Sequence, residues 1–214
     1  MTPPVFMPDV IMTVASENDL ATAVLESPAQ VGYPSHKTKI NIEPYFLDFP
    51  FTIDGANFDD HLKMVKKHKP KIAVSPDIEK GLALDDAISQ ADELLRYADD
   101  VILVPKSVRP ELIPPRFRVG LTLANFGTSA PWWIWDYRDC ESIHLLGGSP
   151  NRQIRAINHG VKVDSLDTST LSIICKYGVW ENGVTVDSPD DWDYSKRVLE
   201  SLKNYVGVVN QIIS

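Results

Sequence analysis

The stretch SIHLLGGSPNRQIRAINHGVKVDSL, residues 142–166, predicts a strand, a helix and a second strand in succession. Its apolar ends predict strands at Ser142–Leu146 and Val161–Leu166, and the segment between them predicts a helix from Asn151 to about His159. Gly160 is the expected helix stop, because glycine readily adopts the left-handed conformation found after helix ends. Two strands joined by one helix are typical of a parallel sheet.

The same alternation of short apolar runs and amphipathic segments extends outward over residues 42–166. Helices are predicted at 58–70 and 84–100, each opened by acidic residues that the helix dipole favours. A long amphipathic helix is predicted at Tyr194–Ile213. The remaining predicted strands lie at 8–14, 29–33, Tyr45–Phe49, Lys71–Ser75, Val101–Pro105 and Arg118–Leu123.

Together these runs give eight predicted strands, the number found in a closed parallel barrel. The chain of 214 residues is short for that fold, which usually needs roughly 250. We therefore predict a single α/β domain over residues 1–214, a reduced or irregular TIM-like (β/α) barrel. An open doubly wound sheet is the alternative, but the glycine-rich dinucleotide fingerprint of that fold is absent.

The composition narrows the class of protein. The chain is 43% hydrophobic and 23% charged, as in ordinary globular proteins. It has no apolar run near the ~18 residues of a membrane helix and no signal-peptide pattern, so we expect a cytoplasmic protein. Cys140 and Cys175 are too few for a disulfide framework or a four-cysteine zinc site, and we predict no cofactor and no metal.

The net charge of −8 argues against a general nucleic-acid binder, which usually carries a basic surface. The densest basic run lies at 61–71 and contains five lysines. A solvated helix face is the simpler explanation of this run, and a local docking patch is the alternative.

Three acidic residues lie where predicted strands end. Asp48 lies inside the apolar run YFLDFPF, Asp77 follows the strand KIAVS, and Asp167 follows the last predicted strand. Active sites of barrels and open α/β sheets gather at this edge, so each carboxylate is a candidate for chemistry, with a loop-capping role as the alternative. Strand alternation places Asp164 and Asp167 on opposite faces, and Asp167 is favoured because it lies nearer the strand's end.

The segment GGSPN at 147–151 follows a predicted strand and opens a helix. Gly147 and Gly148 let a ligand approach the backbone closely, and amides at a helix start favour anionic or polar groups. A phosphate cradle and a plain tight turn explain this segment equally well. Lys106 is a candidate phosphate contact, with a surface ion pair as the commoner alternative. The three tryptophans in PWWIWDY, at 131–137, are candidates for stacking on a planar ligand or for a core or interface patch.

Six segments occur in the order FLDFPF, KPKIAVSPD, VILVPKS, IHLLGGSPNRQ, VDSLDTS and KYGVWENG. In this order they resemble the tRNA-guanine transglycosylase superfamily, most closely its short phage-type branch. Members of that branch are often labelled queuine tRNA-ribosyltransferases, and some are thought to put 7-deazaguanine bases into DNA. The resemblance covers about residues 43–183, and IHLLGGSP is its most specific element.

The resemblance implies a modified TIM barrel that acts as a glycosyltransferase by base exchange. An aspartate attacks C1′ of the sugar, guanine leaves, and an incoming 7-deazaguanine such as preQ0 displaces the enzyme, so catalysis is covalent. By strand order Asp167 resembles the nucleophile, Asp48 the proton-transferring aspartate and Asp77 the aspartate that hydrogen-bonds the base. The remaining substrate-binding candidates are Gly147, Gly148, Gln153 and Lys106.

Two features depart from the tRNA enzymes: the chain cannot supply their zinc site of three cysteines and a histidine, and it lacks their tRNA-docking extension. DNA is therefore the expected polymer ahead of tRNA, with a free 7-deazaguanine base as the second substrate and no membrane partner. A homodimer or an accessory protein would supply further binding surface, and the basic run at 61–71 is the candidate docking surface on this chain. Two alternatives stay open, an enzyme acting on a small phosphorylated metabolite held at 147–151 and a non-catalytic interaction protein.

Overall fold

Eight parallel strands close into a barrel in the computed structural model of the chain. The model describes residues 7–14, 18–51, 53–79, 81–123 and 132–214. The strands are β1 Asp9–Thr13, β2 Gln30–Pro34, β3 Phe46–Asp48, β4 Ile72–Val74, β5 Asp100–Leu103, β6 Arg118–Thr122, β7 Ile143–Leu146 and β8 Val163–Thr168. Each strand pairs with the next, and β8 pairs with β1, where Asp167 lies opposite Ile11. The predicted TIM-like α/β barrel is confirmed.

Helices fill only part of the outer layer of the barrel. They are α1 Asn18–Leu25, α2 Phe58–His68, α3 Leu84–Leu94, α4 Pro150–Asn158, α5 Thr170–Ile174 and α6 Tyr194–Ile213. The connection from β2 to β3 has no helix, and the one from β5 to β6 has only the 3-10 turn Pro110–Leu112. The described part of the connection from β6 to β7 has only the 3-10 turn Ile134–Tyr137. Short connections in place of helices explain how so short a chain completes eight strands.

A hairpin and a long helix follow the barrel. The hairpin pairs β9 Val179–Glu181 with β10 Val184–Val186. It was not predicted from the sequence. Asp193 caps the N-terminus of helix α6, because its carboxylate accepts a hydrogen bond from the backbone N–H of Lys196 at 2.8 Å. The helix packs against α1 and β9. Within the described ranges, none of the helices has both the length and the apolar character to cross a membrane.

Alternation along the strands sends every second side chain into the barrel. The apolar belt inside consists of Ile11, Phe46, Ile72, Val74, Ile102 and Val104. Two interior positions are glycines because neighbouring side chains occupy the space. A Cβ on Gly32 would lie 2.8 Å from Phe46 Cδ1, and a Cβ on Gly120 would lie 2.6 Å from Leu146 Cδ1. This belt fills the barrel beneath the C-terminal ends of the strands.

The basic run at 61–71 lies away from those strand ends. Helix α2 returns the chain from the end of β3 to the start of β4, so its basic last turn lies at the opposite end of the barrel. Lys66 pairs with Glu93 at 3.4 Å, and Lys71 pairs with Asp99 at 2.7 Å. These lysines therefore form surface ion pairs away from those strand ends, and docking of a nucleic acid on this run stays a prediction.

Candidate active site

A cavity of about 620 Å³ opens at the C-terminal ends of the barrel strands. This volume falls within the usual range for small-molecule sites. Six of the seven predicted site residues line it, namely Asp48, Asp77, Lys106, Gly147, Gly148 and Asp167. The other lining residues are Thr13, Val14, Pro34, His36, Phe49, Pro50, Phe51, Val74, Thr122, Leu146, Ser149, Arg152, Ser169 and Thr170. The three predicted carboxylates therefore converge on one cavity.

Asp167 lies near the end of β8, and three donors hold its carboxylate. Oδ2 accepts a hydrogen bond from the Thr13 hydroxyl at 2.6 Å, and Oδ1 accepts one from the Gly147 N–H at 2.9 Å. The Nε2 atom of His144 lies 3.1 Å from Oδ1 and completes the set. Three donors around a side chain that is 6% exposed suit a carboxylate, which accepts hydrogen bonds and donates none. Asp167 is thereby fixed in one orientation at the cavity wall.

Asp164, on the same strand, faces away from the cavity. Its Oδ2 accepts a hydrogen bond from the backbone N–H of Ile143 at 3.1 Å, where the pairing of β7 with β8 is irregular. Asp164 is buried and is not among the residues that line the cavity. Of the two acids that strand alternation separated, the structure places Asp167 in the site.

Asp48 ends β3, and its carboxyl group is partly buried at the cavity wall. Its Oδ1 atom is shielded from solvent and has no hydrogen-bond partner among the described residues. Removal from water raises the pKa of Asp48 well above its usual value, and the charges of Asp167 and Asp77 raise it further. The N–H of Phe49 opposes this shift without reversing it. The raised pKa favours the protonated form of Asp48, next to the carboxylate of Asp167.

Asp77 and Lys106 form an ion pair beyond the ends of β4 and β5. The lysine side chain is only 11% exposed and the aspartate side chain 12%, so this is not a surface pair. Burial raises the pKa of Asp77, and the hydrogen bond and charge of Lys106 offset only part of that rise. The ammonium group also lies 5.3 Å from the ring centre of Phe51. The pair presents a donor and an acceptor side by side within the cavity.

The loops after β7 and β8 build another wall of the cavity. Gly147 and Gly148 have φ angles of 60° and 82°, in the left-handed region that favours glycine. A Cβ on Gly148 would also lie 2.9 Å from Leu123 Cβ. The hydroxyls of Thr168 and Thr170 donate to the Gly148 carbonyl at 3.0 and 3.1 Å, so the second loop fixes the first.

Arg152 brings a guanidinium group to the same wall from the first turn of α4. Its Nη1 donates to the carbonyl of Leu123 at 3.1 Å, and the side chain lines the cavity. Ser149, the N-cap of α4, also lines the cavity, and its side chain makes no capping hydrogen bond. Guanidinium, hydroxyl and helix-start amides together suit an anionic or polar group. Arg152 is not among the site residues predicted from the sequence.

Gln153 does not reach the cavity, which corrects its predicted substrate-binding role. The side chain is fully buried, and its Nε2 donates to the carbonyls of Gly147 at 2.9 Å and Asp167 at 2.6 Å. Its Oε1 accepts a hydrogen bond from the Tyr205 hydroxyl. Both amide hydrogens and the amide oxygen are engaged, so Gln153 holds the two loops from behind and ties them to α6.

Two residues that contact the carboxylate of Asp167 were also not predicted from the sequence. His144 is fully buried inside the barrel and stacks on Phe46, with ring centres 5.3 Å apart. A polar side chain within the apolar run IHLL needs a buried partner, so the signal that identified Asp48 was also present at His144. Thr13 ends β1 and carries no comparable signal, because threonine is common in strands.

Among the described residues, the tryptophans form no stacking site at the cavity, and the His, Cys, Asp and Glu side chains form no metal site. Trp132 donates from Nε1 to the Pro105 carbonyl at 2.8 Å, while Trp133 and Trp135 are 76% and 51% exposed. None of the described tryptophans lines the cavity, so stacking on a ligand there is not supported. Within the described ranges, no group of three or more His, Cys, Asp or Glu side chains is arranged to hold a metal ion.

Comparison with known proteins identifies a family. A family model described as a family of unknown function, DUF6610, matches residues 28–210. No curated protein matches the chain. Among solved structures, a crystal structure of phosphoribosyl anthranilate isomerase with reduced 1-(o-carboxyphenylamino)-1-deoxyribulose 5-phosphate matches with 16% identity and a TM-score of 0.40. That match covers 94% of this chain and 100% of the other.

Proposed function

We propose that this chain, which belongs to the DUF6610 family, is a glycosyltransferase that replaces guanine in DNA with a 7-deazaguanine such as preQ0. One observation carries the proposal: Asp48, whose pKa is raised by burial, and the hydrogen-bonded carboxylate of Asp167 line one cavity. Two carboxyl groups in different protonation states are the pairing that glycosyl transfer uses, one as acid and one as nucleophile. A non-catalytic docking protein has no need of such a pair, so that alternative is not favoured.

Asp167 supplies the nucleophile of the first half-reaction. Its carboxylate attacks C1′ of a deoxyguanosine that has flipped into the cavity, while the bond from C1′ to N9 of guanine breaks. Asp48 gives its proton to the departing purine, which leaves as neutral guanine. Asp167 then carries a deoxyribosyl ester, and Asp48 is ionised. Hydrogen bonds from Thr13 and Gly147 orient the attacking group before the reaction begins.

The incoming 7-deazaguanine reverses these steps. The ionised Asp48 takes the proton from N9 of the free base, and N9 attacks C1′ as the ester bond to Asp167 breaks. A new N-glycosidic bond forms, the carboxylate of Asp167 is regenerated, and Asp48 is protonated again. Because Asp48 acts as an acid in one half-reaction and as a base in the other, a raised pKa suits both.

Asp77 and Lys106 suit recognition of the exchanged base. Guanine presents donors at N1–H and at its exocyclic amine, next to an acceptor at O6. The ion pair presents the complementary pattern, a carboxylate acceptor beside an ammonium donor. A 7-deazaguanine differs from guanine at position 7 and keeps this edge, so the same pair serves the leaving and the incoming base.

DNA is the polymer in this proposal because the sequence resembles the short phage-type branch of the transglycosylases. The wall formed by Gly148, Ser149 and Arg152 provides donors for a phosphate next to the flipped nucleotide. Phosphate contacts position a nucleic acid, whereas the base-edge contacts of Asp77 give selectivity.

Base exchange is tested by incubating a DNA oligonucleotide with the protein and isotopically labelled guanine or preQ0, then analysing the nucleosides by mass spectrometry. We expect label to enter the DNA with the wild-type protein. Asp167→Asn removes the nucleophile while keeping the size of the side chain, and it should lower exchange by on the order of 10⁴-fold.

The matched control for that variant is Asp164→Asn. It makes the same change on the same strand, and its side chain lies outside the cavity, so exchange should stay close to wild type. Equal losses in the two variants, or normal exchange in Asp167→Asn, would reject Asp167 as the nucleophile. Label that enters tRNA but not DNA in a parallel reaction would contradict the choice of polymer and leave the exchange chemistry standing.

A second candidate is an enzyme that acts on a small phosphorylated metabolite. The wall formed by the loops after β7 and β8 favours it, because parallel barrels frequently bind phosphate at this place. Thermal-shift measurements separate the two candidates. Stabilisation by ribose 5-phosphate but not by guanine or preQ0 would favour the second, and the reverse result would favour base exchange. Arg152→Gln should weaken a phosphate response and leave a guanine response unchanged.

A further inference from the structure

A line of buried polar side chains runs through the barrel to Asp167. Arg118 on β6 contacts the hydroxyl of Ser165 on β8 and is paired with Asp100 at 2.5 Å. The Ser165 hydroxyl lies 2.6 Å from Nδ1 of His144. On the other side of the ring, Nε2 of His144 lies 3.1 Å from Oδ1 of Asp167. The line therefore joins an ion pair at the N-terminal ends of the strands to the site at their C-terminal ends.

Donor and acceptor chemistry fixes the protons along this line. An arginine guanidinium has only donors, so the Ser165 oxygen accepts from Arg118. Nε2 of His144 faces the carboxylate of Asp167, which only accepts, so Nε2 carries the ring proton and the Ser165 hydrogen points to Nδ1. Nδ1 is then an acceptor, and the ring proton lies on Nε2, which donates to Asp167. Burial lowers the pKa of His144 despite the opposing effect of Asp167, so the ring is neutral and has one proton to place.

The two carboxylate oxygens of Asp167 differ as a result. Oδ1 has two donors, the Gly147 N–H and Nε2–H of His144, whereas Oδ2 has the Thr13 hydroxyl as its donor. Phe46 stacks on the imidazole with 14° between the rings, which limits rotation of His144. Oδ2 is therefore the oxygen that keeps a lone pair for a bond to carbon.

We infer that Arg118, Ser165 and His144 form a positioning relay. The relay holds His144 in its Nε2–H tautomer, engages Oδ1 of Asp167 and leaves Oδ2 as the attacking atom. None of the three residues lines the cavity, so they act through Asp167 and do not touch the substrate. The kinetic part of this inference rests on the proposed base exchange, whereas the tautomer follows from the hydrogen bonds alone.

Nitrogen-15 NMR of the full chain, labelled at histidine and without ligand, reads the tautomer directly. Near neutral pH we expect the ring of His144 to carry its proton on Nε2 and to have Nδ1 as a hydrogen-bonded acceptor. The exposed His36 provides a control signal in the same spectra. A proton on Nδ1, or a doubly protonated ring near neutral pH, would overturn the relay in the wild-type protein, whatever the variants do.

Ser165→Ala and Ser165→Thr test the link to catalysis. The alanine variant removes the hydroxyl that orients Nδ1, and the threonine variant keeps a hydroxyl at that position. In Ser165→Ala we expect mixed tautomers of His144 and a kcat for base exchange lower by on the order of a hundredfold, with KM for the incoming base nearly unchanged because Asp77 and Lys106 are untouched. Ser165→Thr should restore both readouts.

Two results would contradict the relay in these variants: a wild-type kcat in folded Ser165→Ala, or equal losses in kcat and KM with the tautomer of His144 unchanged. A wild-type protein without any base exchange would instead reject the proposed function. The NMR measurement still decides the tautomer in that case, so the two failures are distinguishable.

Discussion

Asp48→Asn should stabilise the protein at rising pH and stop the proposed reaction. The Oδ1 atom of Asp48 is shielded from solvent and has no hydrogen-bond partner among the described residues. The folded state therefore keeps a proton that the unfolded chain loses above its ordinary pKa of about 3.9. Because the folded pKa is the higher one, the stabilisation from protonated Asp48 is complete below about pH 4 and is lost as the pH rises toward the folded pKa.

The expected size of the effect follows from the proton count. Between the two pKa values the folded state binds one more proton at Asp48 than the unfolded chain does, which lowers the free energy of unfolding by ~1.4 kcal/mol per pH unit. Asparagine does not titrate. The free energy of unfolding of Asp48→Asn should therefore rise relative to wild type by this slope and level off where Asp48 ionises in the folded state.

Urea denaturation followed by tryptophan fluorescence, at pH values from about 3 to 7, measures this difference. At about pH 3 residue 48 is uncharged in both proteins, so the difference there is the baseline. If the difference in free energy of unfolding stays constant across this range, or changes in favour of wild type, the raised pKa of Asp48 in the folded state is refuted. The same variant should lose base exchange, because asparagine cannot give a proton to the leaving purine.

Three further predictions concern residues outside the reacting groups, and urea denaturation measures each. Gly120→Ala puts a methyl group 2.6 Å from Leu146 Cδ1 on the next strand and should lower the free energy of unfolding by about 1–3 kcal/mol. Gly207→Ala in α6 meets nothing within 4 Å and should raise the free energy of unfolding by about 0.5–1 kcal/mol. Asp193→Ala removes the N-cap of α6 and should cost about 1 kcal/mol. Tyr205→Phe leaves the amide oxygen of Gln153 without its donor and should cost about 1–3 kcal/mol. Similar effects of the two glycine substitutions, or no loss in the other two variants, would contradict these accounts.

The barrel could be predicted because the pattern of each strand and helix is local. The strand, glycine turn and helix around residues 142–166 are visible in the sequence without knowledge of their neighbours. The hairpin at 179–186 was missed although its turn is favourable: Asn182 and Gly183 have φ angles of 46° and 95°, the backbone that a two-residue hairpin loop requires. Its strands are three residues each, too short for an alternating pattern to stand out.

The candidate site was predictable only where strand direction alone decides position. Asp48, Asp77 and Asp167 converge because parallel strands end at one edge. The placement of Arg152 and Gln153 depends instead on the rotation of α4, since successive helical residues point about 100° apart. Arg152 lines the cavity, whereas Gln153 contacts the loop behind it. Tertiary packing determines which of the two faces the cavity.

The contact between His144 and Asp167 depends on the register between two strands. The pairing of β7 with β8 shifts at Ile143, and the shifted register places His144 opposite Ser165. No pattern within either strand specifies that irregularity. The sequence therefore indicated that Asp167 lies in the site, but it did not indicate the side chains that hold the Asp167 carboxylate.

The covalent step is the most direct test of the proposed reaction. A guanine-containing DNA oligonucleotide is mixed with the protein in the absence of free base, quenched in acid and measured by intact-mass spectrometry and peptide mapping. We predict a species with the mass of protein plus oligonucleotide minus guanine, with the bond on Asp167, formed equally well by Asp164→Asn and not formed by Asp167→Asn. A bond on another residue, or base exchange that proceeds in Asp167→Asn, would contradict the assignment of Asp167 as the nucleophile.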